Sequence, residues 1–203
     1  MRAAFLALLV LSATLLVSQS SKLQSARIDD VTIEEVGKNP VEAKFNPGGR
    51  VRMDLCSSGV HLVGRDDNMV RVSYHPNHTD VKVRLQVFGD QAGLRVTGCP
   101  NNHFDLRIEV PKSSDLYVRM FAGHLEISGV TGDKDVELHA GELIMEIGDP
   151  AHCARVNASV TSGSLTASAF DVAKGGLFRS FETRGAGKYR VHAHVGAGDL
   201  QLR

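Results

Sequence analysis

The sequence predicts an all-β chain, a parallel β-helix-like solenoid built from two-strand coils of about 18–24 residues with glycine corners. Three observations carry this. Apolar and polar residues alternate in short runs through most of the chain, which is the period of a strand rather than a helix. No stretch after residue 26 sustains a helical period. A motif Ala/Ser-Gly-x-Leu/Tyr returns at Gly123, Gly141, Gly163, Gly187 and Gly198, at intervals of 18, 22, 24 and 11 residues. A recurring unit of that size cannot bury its apolar face alone and gains a core by stacking on its neighbours.

The elements follow in chain order. Residues 1–20 read as a signal peptide: after Met1-Arg2, the run Ala3 to Val17 carries no charge, and Ser18 and Ser20 supply small residues for cleavage. That run is shorter than the roughly 20 apolar residues a membrane-spanning helix needs. Cleavage would leave no transmembrane segment and an exported product, periplasmic, cell-surface or secreted. Residues 21–39 form a polar lead-in closed by "GKNP", and residues 40–203 form the solenoid domain.

Within that domain "GGRVRMDL" places Val51, Met53 and Leu55 on one face and Arg50, Arg52 and Asp54 on the other. The same alternation runs through "MVRVSYH", "DVKVRLQVF", "GLRVTG", "FDLRIEV" and "DLYVRM", each bounded by turn formers. In the second half, stacking would align Leu125, Leu143, Leu165, Tyr189 and Leu200 as an inward ladder. Ile127, Met145, Ala167, Val191 and Leu202 would form a second ladder, with His124, Glu142, Ser164, Lys188 and Asp199 outward.

The stretch "LRIEVPKSSDLYVRMFAGHLEISGVTGDKDVELHAGEL", supported by "FNPGGRVRMDLCSSGVHLVGRDDNMVRV" and the closing "GAGDLQL", resembles the bacterial putative adhesin family of exported β-solenoid domains. The resemblance spans Pro40 to Arg203 and implies a β-helix-like fold outside the cytoplasm. One departure is "SGVHLVG", where Val60 and Leu62 fall one residue out of register with the later motif if Gly59 is the corner.

Composition narrows the function. A formal net charge of zero offers no basic field for nucleic acid, so nucleic-acid binding is disfavoured. Export opens the question of disulfides, because bridges persist in oxidising compartments. Three cysteines allow at most one internal bridge; Cys56 and Cys99 are candidates for it, and three unbridged thiols are the alternative.

Carboxylate pairs at Asp29-Asp30, Glu34-Glu35 and Asp66-Asp67 lie in lead-in or loop sequence, where solvated charge is the ordinary reading. His192 and His194 in "YRVHAHV" share an outward face and are weak metal candidates lacking an evident third ligand; "HPNH" offers His75 and His78. No catalytic residue and no cofactor is assigned. The expectation is a non-enzymatic rigid binding or adhesion surface for an envelope protein or glycan, with self-association through the C-terminal edge strand. A carbohydrate-active enzyme on the same scaffold and a periplasmic metal-binding protein are the alternatives.

Overall fold

The computed structural model describes residues 30–203 apart from Pro76, Asn101 and Asn102; the signal-peptide reading falls outside these residues. Eight short strands come first: β1 (Val31–Val36), β2 (Val41–Lys44), β3 (Arg50–Leu55), β4 (Ser58–Arg65), β5 (Met69–His75), β6 (Lys82–Phe88), β7 (Gln91–Thr97) and β8 (Asp105–Pro111). Five long ones follow: β9 (Asp115–Ser128), β10 (Lys134–Met145), β11 (Cys153–Ala167), β12 (Val172–Arg184) and β13 (Tyr189–Leu202). Two single 3-10 turns, Pro150–His152 and Ser168–Phe170, are the helical structure among the described residues, and no helix there is long and apolar enough to cross a membrane.

The strands form one mixed sheet in the order β1-β6-β7-β3-β9-β10-β13-β11-β12, with a branch β2-β5-β8-β4 that also joins β9. The branch arises because two short strands do what one long strand does later. The first half of β9 pairs with β3, from Arg50↔Asp115 to Leu55↔Met120, and its second half pairs with β4, from Ser58↔Gly123 to Val63↔Ser128. β7 and β8 repeat this on β3 and β4.

Where the two halves of a long strand meet, glycines align. Gly123, Gly141, Gly198 and Gly163 pair in register across β9, β10, β13 and β11, with φ between +126° and +137°. L side chains avoid that backbone region. A Cβ there would also run into the backbone carbonyl of the adjacent strand, that of Gly123 in the case of Gly141. The recurring Ala/Ser-Gly-x-Leu is thus a column in which each strand bends against its neighbour. Ser58 occupies the same column at the start of β4, so Val60 and Leu62 align with Leu125 and Ile127, which resolves the apparent register slip in "SGVHLVG".

Inward residues next to the column are fully buried: Leu125, Leu143, Leu200 and Leu165, then Ile127, Met145, Leu202 and Ala167. Burying each leucine stabilises the fold by about 1.5–3 kcal/mol relative to leaving it in water. The ladder order differs from chain order because β13 lies between β10 and β11. Tyr189 is not in the leucine ladder: it pairs with Cys153 at the entry to β13, and Gly187 stands at the opposite bend, packed on the backbone of His152.

Three further expectations change. The sheet is mixed, since β1, β2, β5, β6 and β12 pair antiparallel with their neighbours. The segment read as lead-in contributes β1, whose partner is β6. The C-terminal strand is not an edge: β13 is enclosed on both sides, and the edge at that end of the sheet is β12, exposed along most of its length. The physical reason is legible in the side chains. β13 offers Val191, Ala193, Val195, Leu200 and Leu202 to the core, whereas β12 would put Lys174 and Arg179 opposite Leu165 and Val160. A strand with charges at those positions suits an edge.

In the first half, where no glycine column joins the strand pairs, Cys56 and Cys99 are bonded across the bends that link β3 to β4 and β7 to β8, with Cα atoms 6.0 Å apart. Cys153 is a free, buried thiol.

Candidate functional site

Alternation that sends Leu116, Val118 and Met120 inward sends Tyr117 and Arg119 outward in the middle of the sheet. The guanidinium of Arg119 lies 3.6 Å from the centroid of the Tyr117 ring, and that of Arg52, on neighbouring β3, 4.6 Å from it. Arg119 also forms ion pairs with Asp135 at 3.0 Å and Glu137 at 3.1 Å on β10, and hydrogen-bonds the Asp135 backbone carbonyl. Stacking and pairing together hold this cation in place, whereas isolated surface ion pairs contribute about 0–1 kcal/mol.

On the β3 side of Tyr117 the face opens into a shallow depression of about 320 Å³ lined by Arg52, Asp54, Arg84, Gln86, Gly93 and Arg95. Gly93 supplies its floor: it is level with Arg52, and nothing lies within 4 Å of where its Cβ would be. Arg95 reaches Asp54 at 3.2 Å, and Arg84 stands 3.8 Å from Glu34. Glu34 is bonded more closely by Lys82, whose hydrogen bond holds its carboxyl below the usual range. Three guanidiniums therefore share two carboxylates, one of them already taken by a lysine. Planar guanidiniums bind carboxylate and sulfate-like oxyanions in bidentate fashion, and stacking on Tyr117 holds that of Arg52 in place at the edge of the depression.

His192 and His194 project outward from β13, but they do not act together. His192 stands 3.4 Å from Asp135, and His194 is hydrogen-bonded to Ser159 at 2.9 Å. Asp135, Glu137 and His192 bring ligand atoms within 4.8 Å of one another, so two further groups stand near His192 that the sequence did not reveal. Both carboxylates are engaged by Arg119.

On the second half of the same strands, His61 pairs with Glu126 at 3.1 Å and His124 with Glu142 at 3.0 Å. His75 is exposed at the end of β5, and His78 packs edge-on against Phe104. Two of the carboxylate pairs meet cations, Glu34 with Lys82, Glu35 with Lys38, Asp66 with Lys112 and Asp67 with Arg71, while Asp29 of the remaining pair lies outside the described residues. Ser164, outward as expected, is hydrogen-bonded to Asp199. Burial pushes the Glu109 carboxyl up, but hydrogen bonds from Arg71 and Arg107 outweigh it and leave it below the usual range.

Sequence reasoning missed the Tyr117 cluster and the basic depression. Parity alone put Arg52 and Asp54 on the outer face. Their convergence with Arg84 and Arg95 depends on β7 lying beside β3, a pairing that joins strands some forty residues apart.

Fold and face together define an all-β scaffold with an outer surface of paired charges and a local excess of arginine. No protein-family model and no curated protein matches the chain. The crystal structure of a putative cell adhesion protein from Clostridium sporogenes ATCC 15579 is similar over 81% of this chain and 99% of that one, with a TM-score of 0.50 and 12% sequence identity. At that identity the likeness is one of fold.

Proposed function

We propose that the chain is an exported, non-enzymatic β-solenoid that presents a rigid binding surface in the cell envelope or outside the cell, and that its arginine-lined depression takes acidic glycans. The observation that carries the ligand class is the set Arg52, Arg84 and Arg95 around the open floor at Gly93, beside the Tyr117 ring. Uronate or sulfate groups offer the oxyanions that such a set recognises. The uncharged run Ala3 to Val17 supports export, and the fold shared with a putative cell adhesion protein supports a binding role.

Hydrolysis of a glycan would call for two carboxyl groups free to give and take a proton. The carboxylates at and beside the depression are each ion-paired with an arginine, Asp54 with Arg95 and Asp135 and Glu137 with Arg119, which favours binding over cleavage. A direct test is titration of the mature protein with a sulfated or uronate-rich oligosaccharide, compared with Arg84→Ala/Arg95→Ala. Each lost charge-assisted contact is worth about 1.5–3 kcal/mol, so the double variant should bind at least tenfold more weakly with its melting temperature little changed. Equal binding by the two proteins would remove the depression as the site.

A further inference from the structure

At the opposite bend of the sheet, where β10, β11 and β13 begin, a pocket of about 450 Å³ opens between the loops. Its lining is mostly apolar, with Val130, Ile147, Tyr189 and Val191 around the buried side chains of Lys134 and Cys153. Lys134 is the anomaly. It stands at an inward position, level with Leu116 on one side and Val191 on the other, and is 3% exposed. Its ammonium donates one hydrogen bond, to the Gly132 carbonyl at 3.3 Å, and forms no ion pair among the described residues.

The nearby carboxylates are committed elsewhere. Asp133 accepts from the Arg190 backbone N–H, Glu146 from that of Gly129, and Asp149 from that of Ala151 at the start of a 3-10 turn. The other lysine at the pocket, Lys188, adds to the positive side. A buried cation that no carboxylate pairs directly is costly, and an apolar side chain of similar length would pack there without that cost. Its presence at the wall of an apolar, ligand-sized pocket is explained if a bound anion completes it.

We propose that this pocket binds a small amphiphilic carboxylate, the carboxylate pairing with the Lys134 ammonium and the apolar body lying against Val130, Ile147 and Val191. The site is separate from the arginine-lined depression and does not depend on it. Burial, which pulls the Lys134 pKa down, is then offset by the ligand's charge, so occupancy stabilises the protonated amine.

Decanoate and its uncharged counterpart decanol, titrated into the purified protein with and without Lys134→Met, test the assignment. Two readouts are available: the melting temperature, and the rate at which iodoacetamide alkylates Cys153, the free thiol in the pocket wall. Decanoate should raise the melting temperature of the wild type and slow alkylation at least tenfold, decanol should do so at least tenfold less potently, and Lys134→Met should abolish the preference for the acid. Equal potency of acid and alcohol on the wild type would overturn the proposal whether or not the variant folds. So would a Lys134→Met protein that still prefers decanoate, or decanoate binding that leaves Cys153 unprotected.

Discussion

Gly141→Ala adds one methyl group in the middle of the glycine column, and its cost separates into two parts. The backbone at Gly141 has φ +126°, and holding an L residue in such a region costs of order 1–3 kcal/mol. The new Cβ would also overlap the Gly123 carbonyl, so that β10 must move off β9 and weaken in-register hydrogen bonds worth about 0.5–1.5 kcal/mol each. Together the expected loss is about 3–5 kcal/mol, a large share of the 5–15 kcal/mol by which domains are ordinarily stable. Gly148→Ala is the matched control: φ is +72°, but no atom lies within 4 Å of the added Cβ, so only the conformational cost of about 1–2 kcal/mol applies. With roughly 2–4 °C per kcal/mol for a domain of this size, circular-dichroism melts should place Gly141→Ala about 6–20 °C below the wild type and Gly148→Ala within about 8 °C of it. If the two variants melted together, close approach along the column would not be the reason for the repeated glycine.

Other perturbations bear on other parts of the molecule. Leu143→Asp puts an unpaired charge between Leu125 and Leu200 and should cost several kcal/mol, whereas Glu142→Ser, which removes only partly exposed bonds to His124 and Gln201, should stay within about 1 kcal/mol of the wild type in urea melts. Cys56→Ser opens a link across 43 residues and should lower stability by about 2–4 kcal/mol, with no further loss when reductant is added to the variant. Lys134→Met should be more stable than wild type. Because burial depresses the Lys134 pKa, the unfolded chain binds more protons at this site, and wild-type stability rises with pH through the folded-state value. The variant's advantage should be greatest at low pH and shrink as pH rises, when measured in a Cys153→Ala background so that the thiol, whose pKa burial raises, does not add an opposite slope.

Much of the fold was legible because strand alternation is a local signal. Val51, Met53 and Leu55 are buried as the period requires, and Gly123, Gly141, Gly163 and Gly198 share a column because each follows the same local rule. The order of strands was not legible, because β13 matches β10 and β11 equally well by pattern and takes the place between them that β12, with Lys174 and Arg179, fills poorly. The binding face was hidden for the same reason: Arg52 and Arg95 become neighbours only through strand pairing. Lys134 could have been found from sequence, since "KDVEL" alternates Lys134, Val136 and Leu138 on one side, and a lysine in an apolar series is a signal in itself.

Gly93→Val tests the central claim without touching any charge. The side chain would fill the floor of the depression between Arg52, Arg84 and Arg95, in open space and on extended strand backbone, so the fold should be unaffected or slightly stabilised. Affinity of this variant for an acidic oligosaccharide, measured by calorimetry beside the wild type and a neutral oligosaccharide of the same length, is the decisive quantity. The account predicts that wild type prefers the acidic sugar and that Gly93→Val loses at least tenfold in affinity at an unchanged melting temperature. Undiminished binding by Gly93→Val, or equal affinity of the wild type for acidic and neutral sugars, would contradict it.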